Sequence, residues 1–387
     1  TQIPHPQTMR RLLPLLCGLL LAACGQRAAR PIGDFTLPVY TPRYASGFEI
    51  TGAAGSRSTL VTVHNPWYGD EVTDQYLFIA RDGEPAPAGF EGQVLRDEAR
   101  RVVCMSGSYI AMLDALGAAD RVVGVSGAQY LINETLRRRI ARGEAADVGF
   151  DSNVDFERLM ALRPDLVMLF GIGGADTALT GKLRELGIPY LYMGEHCEES
   201  PLGKSEWVVV AAEIAGLRTE GSRLFAAIPE RYERLRALAQ QTAARPRVML
   251  NTPYRDTWFM PARNSYMVRL LEDAGARYVF EENTATQTLP IDIEQAYYLT
   301  SKSDFWLNVS GCNTLDEVRR QNPRLADTPP VREGRVYDNN RRRNAAGGSD
   351  FWESGVLRPD RVLADLVHIF HPELSETDEL YYYRQLE

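Results

Sequence analysis

One stretch limits the architecture more than any other. Residues 219–245 read TEGSRLFAAIPERYERLRALAQQTAAR. Leu224, Phe225, Ile228, Tyr232, Leu235, Leu238 and Ala239 recur every three or four positions, the period of one helix face. Thr219 is placed to cap the first turn, and Glu220 suits the positive end of the helix dipole. Pro246 forbids continuation, because the residue before a proline avoids helical angles. A helix of this length spans about 36–40 Å. Pro229 lies inside it and should kink it or mark its true start. Strand and helix signals alternate on both sides, so the stretch predicts a strut joining two α/β lobes, with function in the cleft between them.

Before the strut, strands at 102–105, 121–125, 147–149, 166–170 and 190–193 alternate with helices at 109–116, 133–141, 156–162 and 177–186. An apolar helix at 207–217 closes that half. After the strut, strands at 247–250, 257–260, 278–280, 304–309 and 335–337 alternate with helices at 266–274, 293–299, 315–320 and 359–370. Such alternation implies parallel sheets with helices on both faces. The halves echo each other. Asp155-Phe156-Glu157-Arg158 leads to Leu162 and a strand from Asp165; Asp292-Ile293-Glu294-Gln295 leads to Leu299 and a strand from Asp304. Ahead of both, strand signals at 47–51, 59–63 and 75–79 make a small β element that Pro85, Pro87 and Gly89 end. The expected fold is α/β: two Rossmann-like lobes with parallel sheets joined by one long helix, plus a small N-terminal antiparallel β element.

The N-terminus carries a targeting signal. Met9 reads as the natural start. Arg10 and Arg11 precede an apolar run over 12–21, too short for a permanent span but right for a secretory signal. Leu21-Ala22-Ala23-Cys24 resembles a bacterial lipobox, which implies cleavage before Cys24 and lipidation there. The chain then divides into signal peptide 1–23, lipid-anchored tether 24–43, β element 44–98, first lobe 99–218, linker helix 219–245, second lobe 246–372 and tail 373–387. With 44% hydrophobic and 24% charged residues the composition is that of a globular protein. A net charge of −8 argues against a nucleic-acid binder. Cys104, Cys197 and Cys312 are too few and too scattered for a disulfide framework or a zinc site.

Ligands of doubly wound sheets bind beyond the carboxyl ends of the strands. In the first lobe those loops supply Ser106, Tyr109, Phe150, Gly173, Glu195 and His196 as candidate ligand contacts. In the second they supply Tyr254, Trp258, Arg263 and Tyr266, then Asn308, Arg341, Arg342 and Trp352. Arginine forks suit carboxylate and catecholate oxygens, and aromatics stack on flat ligand faces. Direct metal coordination and a resident cofactor are not expected, since His196 alone among the histidines falls on such a loop. Gly171-Ile172-Gly173-Gly174-Ala175-Asp176 lacks the spacing of a dinucleotide fingerprint and reads as a ligand-facing turn. No nucleophile–histidine pair or carboxylate dyad points to an enzyme.

Three further segments carry a specific resemblance. Arg101-Val102-Val103-Cys104-Met105-Ser106 runs on to Leu113-Asp114-Ala115-Leu116-Gly117 and Val122-Val123-Gly124-Val125-Ser126. Phe156-Glu157-Arg158-Leu159-Met160-Ala161-Leu162-Arg163-Pro164-Asp165-Leu166-Val167 is the second. Gly334-Arg335-Val336-Tyr337 with Arg358-Pro359-Asp360-Arg361-Val362-Leu363-Ala364-Asp365-Leu366 is the third. Over residues 101–372 the chain resembles the iron-siderophore/cobalamin class of ABC-importer substrate-binding proteins. The resemblance implies a monomeric lipoprotein, anchored by lipid on the periplasmic side of a bacterial membrane, that hands a ferric siderophore or haem to an ABC permease. Cobalamin is the alternative ligand. A cell-surface demetallase or hydrolase on the same scaffold is the rival of another class; a surface interaction lipoprotein acting through residues 44–81 is a third. The resemblance also implies that Glu157 and Glu294, one per lobe, meet arginines of the permease; charges held apart by a rigid body fix docking register.

Overall fold

The computed structural model describes residues 29–67, 73–171, 174, 177–255 and 257–387. Its first layer is a five-stranded sheet of β1 (Leu37–Tyr40), β2 (Phe48–Gly52), β3 (Thr59–His64), β4 (Asp74–Ala80) and β5 (Gln93–Arg96), paired in that order. Strands β1 to β4 are antiparallel, whereas β5 joins β4 in parallel. Two expectations are corrected here. The stretch expected to be a tether contains β1, in which Pro38 is tolerated because the strand is an edge. The prolines and glycine at 85–89 do not end the element; that loop returns the chain as β5, so the sheet is mixed.

The first lobe runs β6 (Val102–Cys104), α1 (Gly107–Ala115), β7 (Val122–Val125), α2 (Glu134–Ala141), β8 (Ala146–Asp147), α3 (Phe156–Leu162), β9 (Leu166–Phe170), α4 (Ala178–Leu186) and β10 (Tyr190–Met193). Its strands are all parallel, in the order β10-β9-β6-β7-β8. The helix expected at 207–217 is α6 (Val208–Ile214), shorter by a turn, and a further short helix, α5 (Pro201–Glu206), precedes it. Every residue of α6 is buried and six of its seven are apolar, as an interior helix requires. It packs against α1 on one side, while Phe48 of the N-terminal sheet meets Trp207, the residue before it, edge-on at 5.1 Å.

Three buried glutamates stitch the N-terminal sheet to this lobe. Glu206 accepts hydrogen bonds from the Tyr40 hydroxyl (2.7 Å) and from the backbone N–H groups of Arg43, Tyr44 and Ala45 (2.7–2.8 Å). Glu198 accepts from Ser46, Gly47 and the Trp207 indole. Glu213 accepts from Thr59 (2.7 Å), Arg81 (2.9 Å) and Arg218 (2.6 Å). Burial pushes the Glu213 carboxyl up, but the hydrogen bonds and charges of Arg218, Arg81 and Thr59 together outweigh it and hold it below the usual range.

The strut is α7 (Arg218–Ala239), about 33 Å long. Thr219 falls inside its first turn and does not cap it; the residue before the helix is Leu217, which makes no side-chain cap. The helix runs through Pro229, which therefore does not mark its start, and stops six residues short of Arg245. Arg245 turns back to donate to the carbonyls of Ala239 and Gln240, satisfying groups that a helix end leaves open. Phe225, Ile228, Tyr232, Leu235 and Ala239 are buried as expected, whereas Leu238 is exposed. Gly221 packs so tightly on Ala212 of α6 that a Cβ there would collide. The opposite end packs on the second lobe: α7 lies against α13 (Pro359–Phe370, below), and the Tyr232 hydroxyl donates to Asp273 at 2.7 Å.

That lobe runs β11 (Arg247–Leu250), β12 (Pro253–Tyr254), β13 (Thr257–Met260), α8 (Tyr266–Asp273), β14 (Arg277–Tyr278), β15 (Leu289–Ile291), α9 (Ile293–Ser301), β16 (Phe305–Leu307), α10 (Leu315–Gln321), α11 (Pro329–Arg332), β17 (Val336–Asp338), α12 (Ser354–Leu357), α13 (Pro359–Phe370) and β18 (Arg384–Gln385). Its main sheet has the order β14-β11-β16-β17-β18, parallel except for β18; β12, β13 and β15 form a separate antiparallel sheet. Residues 373–387 are thus not a free tail, since β18 completes the sheet and Tyr382, Tyr383 and Leu386 are buried. Asp365 secures them by accepting from the N–H groups of Tyr381, Tyr382 and Tyr383. Among the described residues no helix is long and apolar enough to cross a membrane.

Glu206→Ala leaves three backbone N–H groups and a tyrosine hydroxyl without this acceptor. It should destabilise the chain by about 3 kcal/mol or more in chemical denaturation, with amide-exchange protection lost first at residues 40–47. An unchanged midpoint would mean that the sheet is held by apolar packing alone.

Candidate functional site

Each lobe reverses its strand order once, between β6 and β9 in the first and between β11 and β16 in the second. Such reversals open a crevice at the strand tips. The two crossing points are built alike. Asp165, before β9, donates its N–H to Arg101 O (2.8 Å) and accepts from the N–H of Arg101 (2.8 Å). Asp304, before β16, does the same with Arg247, at 2.8 and 2.7 Å. The pseudo-repeat seen in sequence is therefore a repeated clamp that sets the register of the two central strands.

At the tips of the first lobe, Ser106 caps α1, and the Ser108 hydroxyl donates to Glu195 Oε1 at 2.9 Å. Lys204 Nζ donates to the Glu195 carbonyl (2.9 Å) and sits 4.4 Å above the ring of Tyr266, which belongs to the second lobe. On that side Asn251 and Asn308, the residues after β11 and β16, adopt left-handed φ of 66° and 60°, a region that asparagine tolerates better than most residues. The Trp306 indole donates to Asn251 O at 2.7 Å, and Asn308 Oδ1 accepts from the Tyr383 hydroxyl at 3.0 Å. Lys204 over Tyr266 thus carries the polar contacts of the first lobe's tips across to the second, whose own tips are held by Trp306 and Tyr383. Burial pushes Glu195 up to about 7 against the opposing pull of Lys204 and Ser108, and lowers Lys204. Burial likewise raises Asp338, the last residue of β17, to about 6.

His196 holds the backbone of the first lobe. Its Nε2 donates to the Gly171 carbonyl at 2.7 Å, and its ring lies 4.3 Å from that of Phe170. Burial lowers its pKa to about 4, so it is neutral at pH 7. The turn after β3 closes the same corner. Pro66 lies against Gly171 and Gly194, where a Cβ at Gly171 would strike its carbonyl, and Trp67 meets Tyr192 edge-on at 5.6 Å.

The loop at 338–353, which carries the candidate ligand contacts Arg341, Arg342 and Trp352, is docked on the first lobe. Glu353 accepts from the N–H groups of Ile132 (2.6 Å) and Asn133 (2.9 Å). The Asn344 amide donates to the carbonyls of Gln129 (2.9 Å) and Leu131 (3.1 Å). Gly348 meets the Tyr130 carbonyl so closely that no side chain fits. Burial raises Glu353 to about 7 despite its two N–H donors. The space left among Lys204, Tyr266, Phe351 and Trp352 is about 20 Å³, room for about one water.

Of the sequence-predicted contacts, Ser106 and Glu195 join through Ser108, Tyr266 meets them through Lys204, Asn308 stands at its own lobe's strand tip bonded to Tyr383, and His196 follows Glu195. Tyr109 and Trp258 do not line a cleft; both are core residues. The Tyr109 hydroxyl donates to Leu169 O (3.2 Å), and the Trp258 indole donates to Leu250 O (2.9 Å) beside Trp306. The arginines are engaged within their own lobe: Arg263 with Glu272, Arg341 with Glu379 at 2.9 Å and Arg342 with Asp350 at 2.6 Å. Phe150, Tyr254 and Trp352 are exposed. Gly173 and Cys24 lie outside the described residues. Glu157 and Glu294 are exposed second residues of α3 and α9, helices capped by Asp155 and Asp292, and Glu294 pairs with Arg324 at 2.9 Å. Sequence reasoning missed Ser108, Lys204, Asp338, Glu353 and Tyr383. Lys204 and Ser108 sit on helices, and the partners of Glu353 are backbone groups about 220 positions away, so no local signal marks them. Among the described residues no three His, Cys, Asp or Glu converge as a metal site.

A family model described as periplasmic binding protein matches residues 102–341. Two curated relatives are uncharacterised lipoproteins of Methanocaldococcus jannaschii. One is 25% identical over 332 residues, 80% of this chain and 77% of the relative; the other is 22% identical over 330 residues, 81% of each. Among solved structures, a periplasmic haem-binding protein from Pseudomonas aeruginosa is similar with a TM-score of 0.57 at 19% identity, over 75% of this chain and 98% of that one. An ABC-type Fe3+-hydroxamate transport protein from Saccharomonospora viridis gives 0.52 at 17%, over 71% and 94%. At such identities the likeness shows the fold alone.

A carboxyl whose folded pKa is raised stabilises the fold below its unfolded value and loses that stability as pH rises through the folded one. For Glu195 the window runs from 4.5 to about 7. Glu195→Gln should therefore gain roughly 3 kcal/mol at pH 8 and less than about 1 kcal/mol at pH 5, measured by denaturant titration at both. An equal effect at the two pH values would show that the carboxyl ionises as freely as in the unfolded chain.

Proposed function

The chain belongs to the periplasmic binding protein family, and from that premise we propose that it is the substrate-binding component of an ABC importer, taking a ferric siderophore or haem between its lobes. The observation that carries this reading is the pair of matched crossing points, each with an aspartate clamp, whose strand tips meet around Lys204, Tyr266 and Asn308 while α7 bridges the lobes. The haem and Fe3+-hydroxamate proteins of the same fold support an iron chelate as cargo. Cobalamin is the alternative ligand. A carrier binds one ligand per chain without changing it; turnover during incubation would favour the demetallase or hydrolase reading.

Glu157 and Glu294 serve as the permease contacts in this reading. Each is exposed, one per lobe, on helices that precede the equivalent strands β9 and β16. The lipobox at Cys24 and the lipoprotein relatives support a lipid anchor on the periplasmic side.

Absorbance and native mass of the full chain purified from iron-limited cells should reveal one stoichiometric chelate; an empty protein under all metal regimes would count against the carrier. Charge reversal of both Glu157 and Glu294 should abolish uptake with ligand affinity unchanged. Undiminished transport by that double variant would remove the docking assignment.

A further inference from the structure

Among the described residues, three buried side-chain oxygens lack a hydrogen-bond partner: Asn65 Oδ1, Glu195 Oε2 and Asp338 Oδ1. All three stand around the strand tips. Asn65 precedes Pro66, which rests on Gly171 and Gly194 beyond β9 and β10; Glu195 follows Gly194; Asp338 ends β17. Glu195 and Asp338 are each 2% exposed. A buried acceptor without a donor is costly and uncommon in native proteins, so three beside the strand tips of a two-lobed binding fold call for a shared explanation.

The neighbouring groups do not supply it: the Tyr109 hydroxyl, which interacts with Glu195, gives its proton to Leu169 O, and the nearby cations are engaged elsewhere. Lys204 spends its ammonium on the Glu195 carbonyl and the Tyr266 ring. Arg384 donates to Asn340 and Asn313, and it and Arg343 draw the Asp338 pKa down without reaching Oδ1. The arginines expected to receive a ligand carboxylate are paired with Glu272, Glu379 and Asp350.

We propose that the cleft takes a ligand presenting hydrogen-bond donors, such as ammonium, amide N–H or hydroxyl groups, to Asn65, Glu195 and Asp338. The inference rests on the carrier reading and narrows it: an iron chelate with a donor-bearing rim fits these acceptors, and one bearing carboxylates sets like charge against Glu195 and Asp338. It also gives the N-terminal sheet a place in recognition. Asn65 comes from the turn after β3, outside residues 102–341 that match the family. Entry requires the Glu353 contact to open, since the closed lobes leave little free space around Tyr266.

The test is titration of the full chain with ferrioxamine B, an iron trihydroxamate with a pendant ammonium, with the amide-rimmed dicyanocobinamide, and with haemin, which carries two carboxylates. Tryptophan fluorescence and calorimetry report binding. A donor-bearing probe should bind more tightly than haemin. Glu195→Gln and Asp338→Asn should each weaken it by about tenfold to a hundredfold, and Asn65→Ala by about tenfold, with thermal melts at or above the parent's showing that the variants fold. Haemin binding as tightly as the other probes, or variants with parental affinity, would overturn the inference and leave the carrier reading standing. Failure of all three probes to bind, with no chelate co-purifying, would overturn both.

Discussion

A carboxylate removed from water must be fully ligated or it will not stay charged, and three such groups in a row decide how this molecule is assembled. Glu198, Glu206 and Glu213 lie on the path through α5 and α6, and most of their donors come from residues 40–81. The N-terminal sheet is therefore a structural condition of the first lobe, and the lobe is equally a condition of the sheet. Because Glu195, His196 and Lys204 lie on the same short path, the ties that fix the sheet also fix the floor of the cleft.

The two lobes reach one design by different routes. The first places its opening strand in the middle of a five-stranded parallel sheet; the second borrows a C-terminal strand, β18, for its edge. What they share is the aspartate clamp across the crossing point and the capped helix that precedes it. From there the tips diverge. The first lobe ends in glycines braced by Pro66 and His196, the second in left-handed asparagines held by Trp306 and Tyr383. One side is backbone-rich and closely covered, while the other offers side-chain amides.

Periodicity made α7 and α13 readable, since each buries a stripe along a run of local sequence. The doubly apolar run 166–170 gave away a central strand for the same reason. What escaped was structure that depends on distant partners. Strands β1, β5 and β18 are four residues or fewer and carry little pattern of their own; pairing with β2, β4 and β17 makes them strands. The site was half legible. Glu195, Tyr266 and Asn308 could be placed at strand tips from topology. Tyr109 and Trp258 belonged to the same loops by position, but their rings turn into the core. The arginines Arg263, Arg341 and Arg342 looked available because each neutralising acid lies on a different turn or segment of chain.

One of the contacts between the lobes is chemically one-sided. Glu353, Asn344 and Gly348 act as specific side chains, or as a specific lack of one, while Gln129, Tyr130, Leu131, Ile132 and Asn133 answer with main chain only. Peptide groups are the same whatever residue bears them. Mutational drift over that first-lobe segment therefore leaves this contact readable as long as the backbone keeps its path, and its specification is written into ten residues of the opposite half.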